Sequence, residues 1–245
     1  MDLESLDQMH PGLRQALERN VFEDHMFLSW LERNAPERLL VNSLDPLTMM
    51  AVMAPPASDH RSPRPRAVWL RGPALEARRL LGDLESGREY WLSCSAEAAE
   101  AVEGWARKIA WQARYVVYTL TPPTFRPSPV AGVRTLADRG GNREWQMKAE
   151  VKEFGAEVDG KTVGHCLAIP SYADLWVVGG LAVDQPYRRQ GLGKALATAA
   201  TQFILDRGGR PVYETTDRNV PSRRTCEALG FRLVGEYANF TATAP

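Results

Sequence analysis

Apolar positions along this chain follow two rhythms, one of helical period and one that alternates like a strand. Residues 3–33 carry Leu13, Leu17, Phe22, Met26 and Trp30 at mostly helical steps, which gives one apolar helical face. Short apolar runs follow at 38–42, 47–54 and 67–71. They lead to a helical stretch near 74–84, a strand at 89–94, a helix at 96–108 and a strand at 112–120. In the second half Asp159-Gly160 separates two alternating runs, a pair suited to the positive φ values of a tight hairpin turn. Counting outward from that turn puts Phe154, Ala156, Val163, His165, Leu167 and Ile169 on one face. The run 175–183 is apolar apart from Gly179-Gly180, as in a buried central strand that bulges at its glycines. A helix then presents Leu192, Leu196, Ala199 and Phe203 and stops at Gly208-Gly209. A strand at 211–216, a short helix over about 221–229 and a last strand at 231–240 complete the pattern. The expected class is α+β, or mixed α/β.

Two proline-rich stretches punctuate this order. Residues 54–66 read as a surface loop, with arginines at 61, 64 and 66 in solvent. Thr121-Pro-Pro-Thr-Phe-Arg-Pro-Ser-Pro129 is stiff and extended, a natural boundary. The expected division is therefore 1–120, a linker at 121–130, and 131–245.

Candidate chemistry concentrates in one segment, Leu181-Ala-Val-Asp-Gln-Pro-Tyr-Arg-Arg-Gln-Gly-Leu-Gly-Lys194. An apolar strand runs into a basic turn with Arg188, Gly191 and Gly193 spaced R-x-x-G-x-G, and an amphipathic helix follows at once. Such a turn aims successive backbone N–H groups at one point before the positive end of a helix dipole. That is a receptor for a pyrophosphate, and a Cβ in place of either glycine would hold the phosphate oxygens off. A Walker loop is a poor match, because Arg188 stands where its first glycine belongs and Ala195 where Ser or Thr belongs. The dinucleotide fingerprint lacks its third glycine at Leu196, although Glu214 could serve as its acidic strand end. The same turn can also be a bare strand-to-helix connection, so the residues downstream decide.

After one more helix and strand comes Asn219-Val-Pro-Ser222, and then Leu229-Gly230-Phe231. Asn219 lies 219 − 188 = 31 residues after Arg188. Together, V-x-x-P-x-x-R-x-x-G-x-G (Val183, Pro186, Arg188, Gly191, Gly193), N-x-x-S and L-G-F resemble the GNAT superfamily of acyl-CoA-dependent N-acetyltransferases. The resemblance covers about 150–240. It implies a central mixed, mostly antiparallel sheet flanked by helices, in which two strands splay apart and the pantetheine arm of acetyl-CoA lies between them. By that resemblance the backbone of Leu181, Ala182 and Val183 would pair with the pantetheine amides. The amides of Arg189, Gln190, Gly191, Leu192, Gly193 and Lys194 would take the pyrophosphate, with Arg188 close to the phosphates. Asn219 and Ser222 match positions that contact the arm or the adenosine end. An amine of a small molecule or peptide would attack the thioester directly.

Each of these residues has a plainer reading. Arg188 could be a solvated turn residue, Gly179-Gly180 a packing bulge, Asn219 a helix-entry residue, His165 a hydrogen-bonded core histidine, and Trp145 and Trp176 core or cleft wall. Relatives carry Tyr, the acid that protonates the leaving thiolate, where this chain has Cys226. Cys226 is then a thiol acid or a small buried apolar residue, and Tyr213 and Tyr237 are the other phenols available. Glu214, on the strand flanking the cleft, is the candidate base. The first half has no such glycine turn. It reads as a degenerate GNAT-like copy, or as an unrelated cap or dimerisation domain that would make a homodimer. The Cys226 departure also admits a second function, a non-catalytic acyl-CoA sensor.

Composition narrows the partners. With 44% hydrophobic and 24% charged residues the chain is an ordinary globular one. Thirty basic and thirty acidic residues cancel, which argues against nucleic-acid binding through bulk charge. Three cysteines, Cys94, Cys166 and Cys226, show neither disulfide nor metal-ligand spacing, so no metal is expected. The acidic N-terminus and the absence of an 18-residue apolar run leave no membrane partner, and the cytoplasm is the expected location.

Overall fold

The computed structural model describes residues 11–32, 36–53, 65–129, 131–136 and 151–245. They form two compact units, 1–115 with 235–245, and 116–234.

In the first unit, α1 (Pro11–Arg19) and α2 (Val21–Leu31) break at Asn20, which divides the helical stretch anticipated over 3–33. Then come β1 (Arg38–Leu44), β2 (Leu47–Met53), β3 (Arg66–Arg71), α3 (Ala74–Leu81), β4 (Glu89–Ser95), α4 (Ala96–Trp105) and the start of β5 (Lys108–Thr119). Strand order is β1-β2-β3-β4-β11, where β11 is Arg232–Thr243. Only β3 and β4 run parallel, with α3 as the crossover that a parallel pair requires. Val68, Leu70, Leu92 and Phe240 meet Leu81, Ala98 and Val102 in one core. Ser95 caps α4 by accepting the Ala98 N–H at 3.4 Å. On the other face Phe27 of α2 stacks on Trp69 at 5.4 Å. Beside them Arg71 donates to Asp24, both side chains almost wholly buried. Burial pushes the Asp24 carboxyl up and the Arg71 guanidinium opposes that shift. Arg66 ion-pairs with Glu37 and Glu85, each at 3.3 Å; Arg61 and Arg64 lie outside the described residues.

The second unit contains β6 (Val133–Thr135), β7 (Lys152–Val158), β8 (Lys161–Pro170), β9 (Leu175–Val183), α5 (Leu192–Leu205), β10 (Arg210–Thr216) and α6 (Val220–Ala228). Its strands run β5-β10-β9-β8-β7-β6, antiparallel from β6 to β9 and parallel between β9 and β10. The β7–β8 hairpin turns at Asp159 and Gly160, with φ of 50° and 75°, as that dipeptide dictates. The buried stripe of α5 is Leu196, Ala197, Ala200 and Ile204, with Leu192, Ala199 and Phe203 at its edge.

Two expectations change. Simple alternation puts Val163 on one face with His165, Leu167 and Ile169, but it shares its core with Cys166 and Ala168 instead. The cause is a bulge: register shifts between Ala156 and Glu157, so β8 carries one extra residue there, and one residue flips every later side chain to the other face. The units also divide the chain differently from 1–120 and 131–245. Val116, Tyr118 and Leu120 pack in the second core, whereas Tyr237 to Thr243 pair with β4 in the first unit.

Candidate active site

The site grows from the point where β9 and β10 part. Their parallel pairing runs from Leu175↔Arg210 to Val178↔Tyr213 and ends there, although β9 continues to Val183 and β10 to Thr216. At that point β9 bulges. His165 faces Ala182 but Leu167 faces Gly179, so β9 carries the extra residue, and Gly180 takes φ 61°. Beyond the bulge the backbone alternates in its usual way. Asp184 donates its N–H to Val163 of β8 at 2.8 Å, so residues 182 and 184 turn toward β8. Residues 181 and 183 therefore turn their N–H and C=O groups to the opposite, open edge. Of the three edge residues anticipated, Leu181 and Val183 face the parting and Ala182 faces its neighbour strand.

The glycine turn sits at the mouth of that parting. After a 3-10 turn at Gln185–Tyr187, Arg189 adopts φ 61° and Gly191 φ 84° with ψ −10°, and α5 starts at Leu192. Gly191 is the N-cap and offers no side-chain cap; the first helical bond returned to it comes from Ala195. The N–H groups of Leu192, Gly193 and Lys194 are thus first-turn donors with no partner inside the helix, at the positive end of its dipole. A Cβ at Gly191 would meet nothing within 4 Å, and one at Gly193 only Val183 Cγ2 at 3.8 Å. Glycine is required at 191 by its left-handed backbone. At 193 the protein's own packing does not require it. An open cradle of free amides suits the pyrophosphate of a nucleotide-bearing co-substrate. Arg188 is exposed, and its Nε donates to Val183 O at 2.8 Å.

Across the parting, Asn219 is the N-cap of α6 and accepts the Ser222 N–H at 3.3 Å, while the Ser222 hydroxyl pairs with the Tyr213 hydroxyl at 2.9 Å. Asn219 and Ser222 thus come together at the entry of α6, held by internal bonds. Tyr213 is buried on the α6 side, against Phe231, and burial pushes its hydroxyl up. Glu214, half-buried, is one residue past the last β9–β10 pair and on the opposite face from Tyr213. Cys226 is fully buried in the second core. Its Sγ donates to Arg223 O at 3.1 Å, and burial pushes the thiol up to about 12. Glu214 and Cys226 are not brought together, since one faces away from α6 and the other is on the buried face of α6. His165, half-buried, faces away from α5, beside Leu167. Tyr237 stacks on Tyr115 at 5.0 Å in the first unit. Trp176 packs on Phe203; Trp145 lies outside the described residues.

The sequence reading missed Tyr118. Its hydroxyl donates to Glu227 at 3.1 Å and accepts from Arg223 Nε at 3.0 Å, which seats α6 over β5. Burial is the main cause that holds its hydroxyl above the usual range. The available signal was the i, i+4 spacing of Arg223 and Glu227, which puts both on one helical face. No group of three or more His, Cys, Asp or Glu residues able to hold a metal occurs among the described residues. None of the described helices is long and apolar enough to cross a membrane.

Residues 114–231 match the acetyltransferase (GNAT) family. No curated protein matches the chain. Among solved structures, a GCN5-related N-acetyltransferase from Kribbella flavida is 15% identical, covering 97% of both chains, with a TM-score of 0.56. A Drosophila protein is 14% identical over 95% of this chain and 88% of its own, with a TM-score of 0.59. A tandem GNAT protein from the clavulanic acid biosynthesis pathway is 15% identical over 100% of this chain and 98% of its own, with a TM-score of 0.54. At such identity these likenesses concern the fold, and one of the folds is a tandem.

Proposed function

We propose, given that residues 114–231 belong to the GNAT family of acetyltransferases, that this chain moves an acetyl group from acetyl-CoA to a primary amine of a small molecule or peptide. The observation that carries the reading is the parting of β9 from β10 after Val178 and Tyr213, with a turn of free amides at its mouth. In this reading the outward groups of Leu181 pair with the pantetheine arm, as a neighbouring strand would. The amides of 189–194 and the α5 dipole take the pyrophosphate, with Arg189 and Lys194 adding positive charge. Asn219 and Ser222 act by setting the start of α6.

The chemistry is direct transfer. The amine must lose a proton before it attacks the thioester carbon; the C–N bond forms, the C–S bond breaks, and the thiolate is protonated. Glu214, on the strand face away from α6, is the carboxylate placed to take the first proton, directly or through a water. For the second, burial of Cys226 and its bond to Arg223 favour a packing role over an acid role. Residues 1–120 form, in this reading, a degenerate copy of the fold without a CoA site. There β3 and β4 stay paired up to Leu70↔Cys94. The connection to α3 runs through Gly72 and Pro73, and proline has no N–H to offer a phosphate.

A second reading, a non-catalytic acyl-CoA-binding protein, draws on the same buried cysteine. Calorimetric titration with acetyl-CoA, paired with thiol release over a panel of amines, decides between them. Binding with turnover on at least one amine is expected. Binding with no turnover on any amine favours the sensor, and absence of binding removes both.

A further inference from the structure

We propose, resting on the CoA reading above, that Arg188 is a positioning residue. Its guanidinium straps the phosphate turn to the open edge of β9 and is not itself a phosphate ligand. The Val183 carbonyl that accepts Arg188 Nε at 2.8 Å is on the edge facing the parting, because the next residue, Asp184, bonds to β8 from the other edge. The strap therefore closes a five-residue loop from the strand end to the turn. Inside that loop the Tyr187 N–H reaches Asp184 O at 2.9 Å and the Arg188 N–H reaches Gln185 O at 3.3 Å. Gln190 Nε2 also returns to Pro186 O at 3.3 Å. The next residue, Arg189, is held at φ 61°, a backbone state that a residue with a side chain avoids unless its surroundings impose it. The strap helps impose that state, and it thereby fixes the direction of every amide from 189 to 194.

Two consequences follow. The Val183 carbonyl already accepts one bond from Arg188, so an extended ligand in the parting pairs with β9 at Leu181 and shares the acceptor at Val183 with the strap. The cationic role in the motif passes from Arg188 to Arg189 and Lys194, neither of which has an acidic partner among the described residues.

The test compares Arg188→Ala, Arg188→Lys and Arg189→Ala in the full chain by two readouts. One is hydrogen exchange of amides 189–194 without ligand; the other is CoA affinity at about 50 mM and about 500 mM salt, where phosphate contacts are screened. Arg188→Ala is expected to speed exchange across 189–194 at an unchanged melting temperature. It should weaken CoA binding by about tenfold, the worth of one hydrogen bond, and keep the wild-type fold-loss with salt. Arg188→Lys, whose ammonium also donates, should recover most of the affinity. Arg189→Ala should flatten the salt dependence. An Arg188→Ala protein whose salt dependence flattens as much as that of Arg189→Ala, or whose exchange is unchanged, overturns the proposal. Failure of the wild type to bind CoA would instead remove the transferase reading, and the exchange readout would still decide the strap.

Discussion

Gly193→Ala separates what the fold needs from what a ligand needs. Position 193 is the second residue of α5, and the added methyl would find Val183 Cγ2 at 3.8 Å as its only neighbour within 4 Å. Nothing in the protein opposes it. Alanine is favoured over glycine in a helix by up to about 1 kcal/mol, which in a chain of this size raises the melting temperature by about 2–4 °C. If phosphate oxygens approach the first-turn amides, the methyl displaces them and at least one hydrogen bond to a charged group is lost, about 1.5–3 kcal/mol. That is about 10- to 150-fold in CoA affinity. The assay is a thermal melt beside a calorimetric CoA titration, and the expected outcome is divergence: a more stable protein that binds CoA less well. A more stable Gly193→Ala protein with wild-type CoA affinity would refute the phosphate assignment. Gly191→Ala is a poorer probe, because its φ of 84° mixes about 1–2 kcal/mol of backbone strain into the result.

Other expectations follow from the same geometry. Cys226→Ser should keep most of its turnover, since a serine hydroxyl can also donate to Arg223 O; a hundredfold lower kcat at unchanged KM, about the worth of general acid catalysis, would return the thiol to the chemistry. Glu214→Gln should lower kcat by about a hundredfold with unchanged CoA affinity if its carboxylate takes the amine proton, and wild-type kcat in that variant would remove Glu214 as base. Asp174 accepts two bonds from Arg210, each at 2.7 Å, which hold its carboxyl below the ordinary value of 3.8. A lowered carboxylate pKa contributes stability that is present above the unfolded value and lost as pH falls through the folded one. Asp174→Asn should therefore cost under about 1 kcal/mol at neutral pH for this half-exposed pair, and the gap should close in acid below pH 3.8; a gap that persists there would contradict it. A chain beginning at Thr121 should fail to give a cooperative melt, because it lacks Val116, Tyr118 and Leu120 of the second core; a sharp transition with native-like circular dichroism would contradict that.

Most of the site was legible because it depends on local geometry. The turn needs a left-handed residue at Gly191 and a helix starting at once, and both are written within a few residues of Arg188. The Asp159-Gly160 hairpin and the Gly179-Gly180 bulge were legible for the same reason. The face of Glu214 was not, because alternation among Val212, Glu214 and Thr216 gives no sign; it took the burial of Tyr213 to fix it. The bulge at Val163 is flanked by Gly164, but the alternation on either side of it looks unbroken and gave no sign of the extra residue. Strand partners were the least legible of all. The Pro-rich boundary puts residues 116–120 in the first half and 235–245 in the second, whereas their packing follows from which core receives Val116, Tyr118 and Phe240.

The two units share one plan up to the place where they differ. Each has a parallel strand pair joined by a helix, β3-α3-β4 in the first and β9-α5-β10 in the second. In the first, β3 ends in Arg71, whose side chain is committed to the buried Asp24, and Pro73 caps α3 without an amide. Pairing there runs to the penultimate residue of each strand. In the second, Gly180 bulges β9 away from its partner after Val178, and Gly191 opens the first turn of α5. In the first unit β3 and β4 therefore stay paired to Leu70↔Cys94, where in the second β9 and β10 part after Val178↔Tyr213. A few residues at the end of the first strand of that parallel pair thus decide whether the two strands stay together or part. Of the two helix-joined parallel pairs among the described residues, the one beside 179–194 is the one that parts.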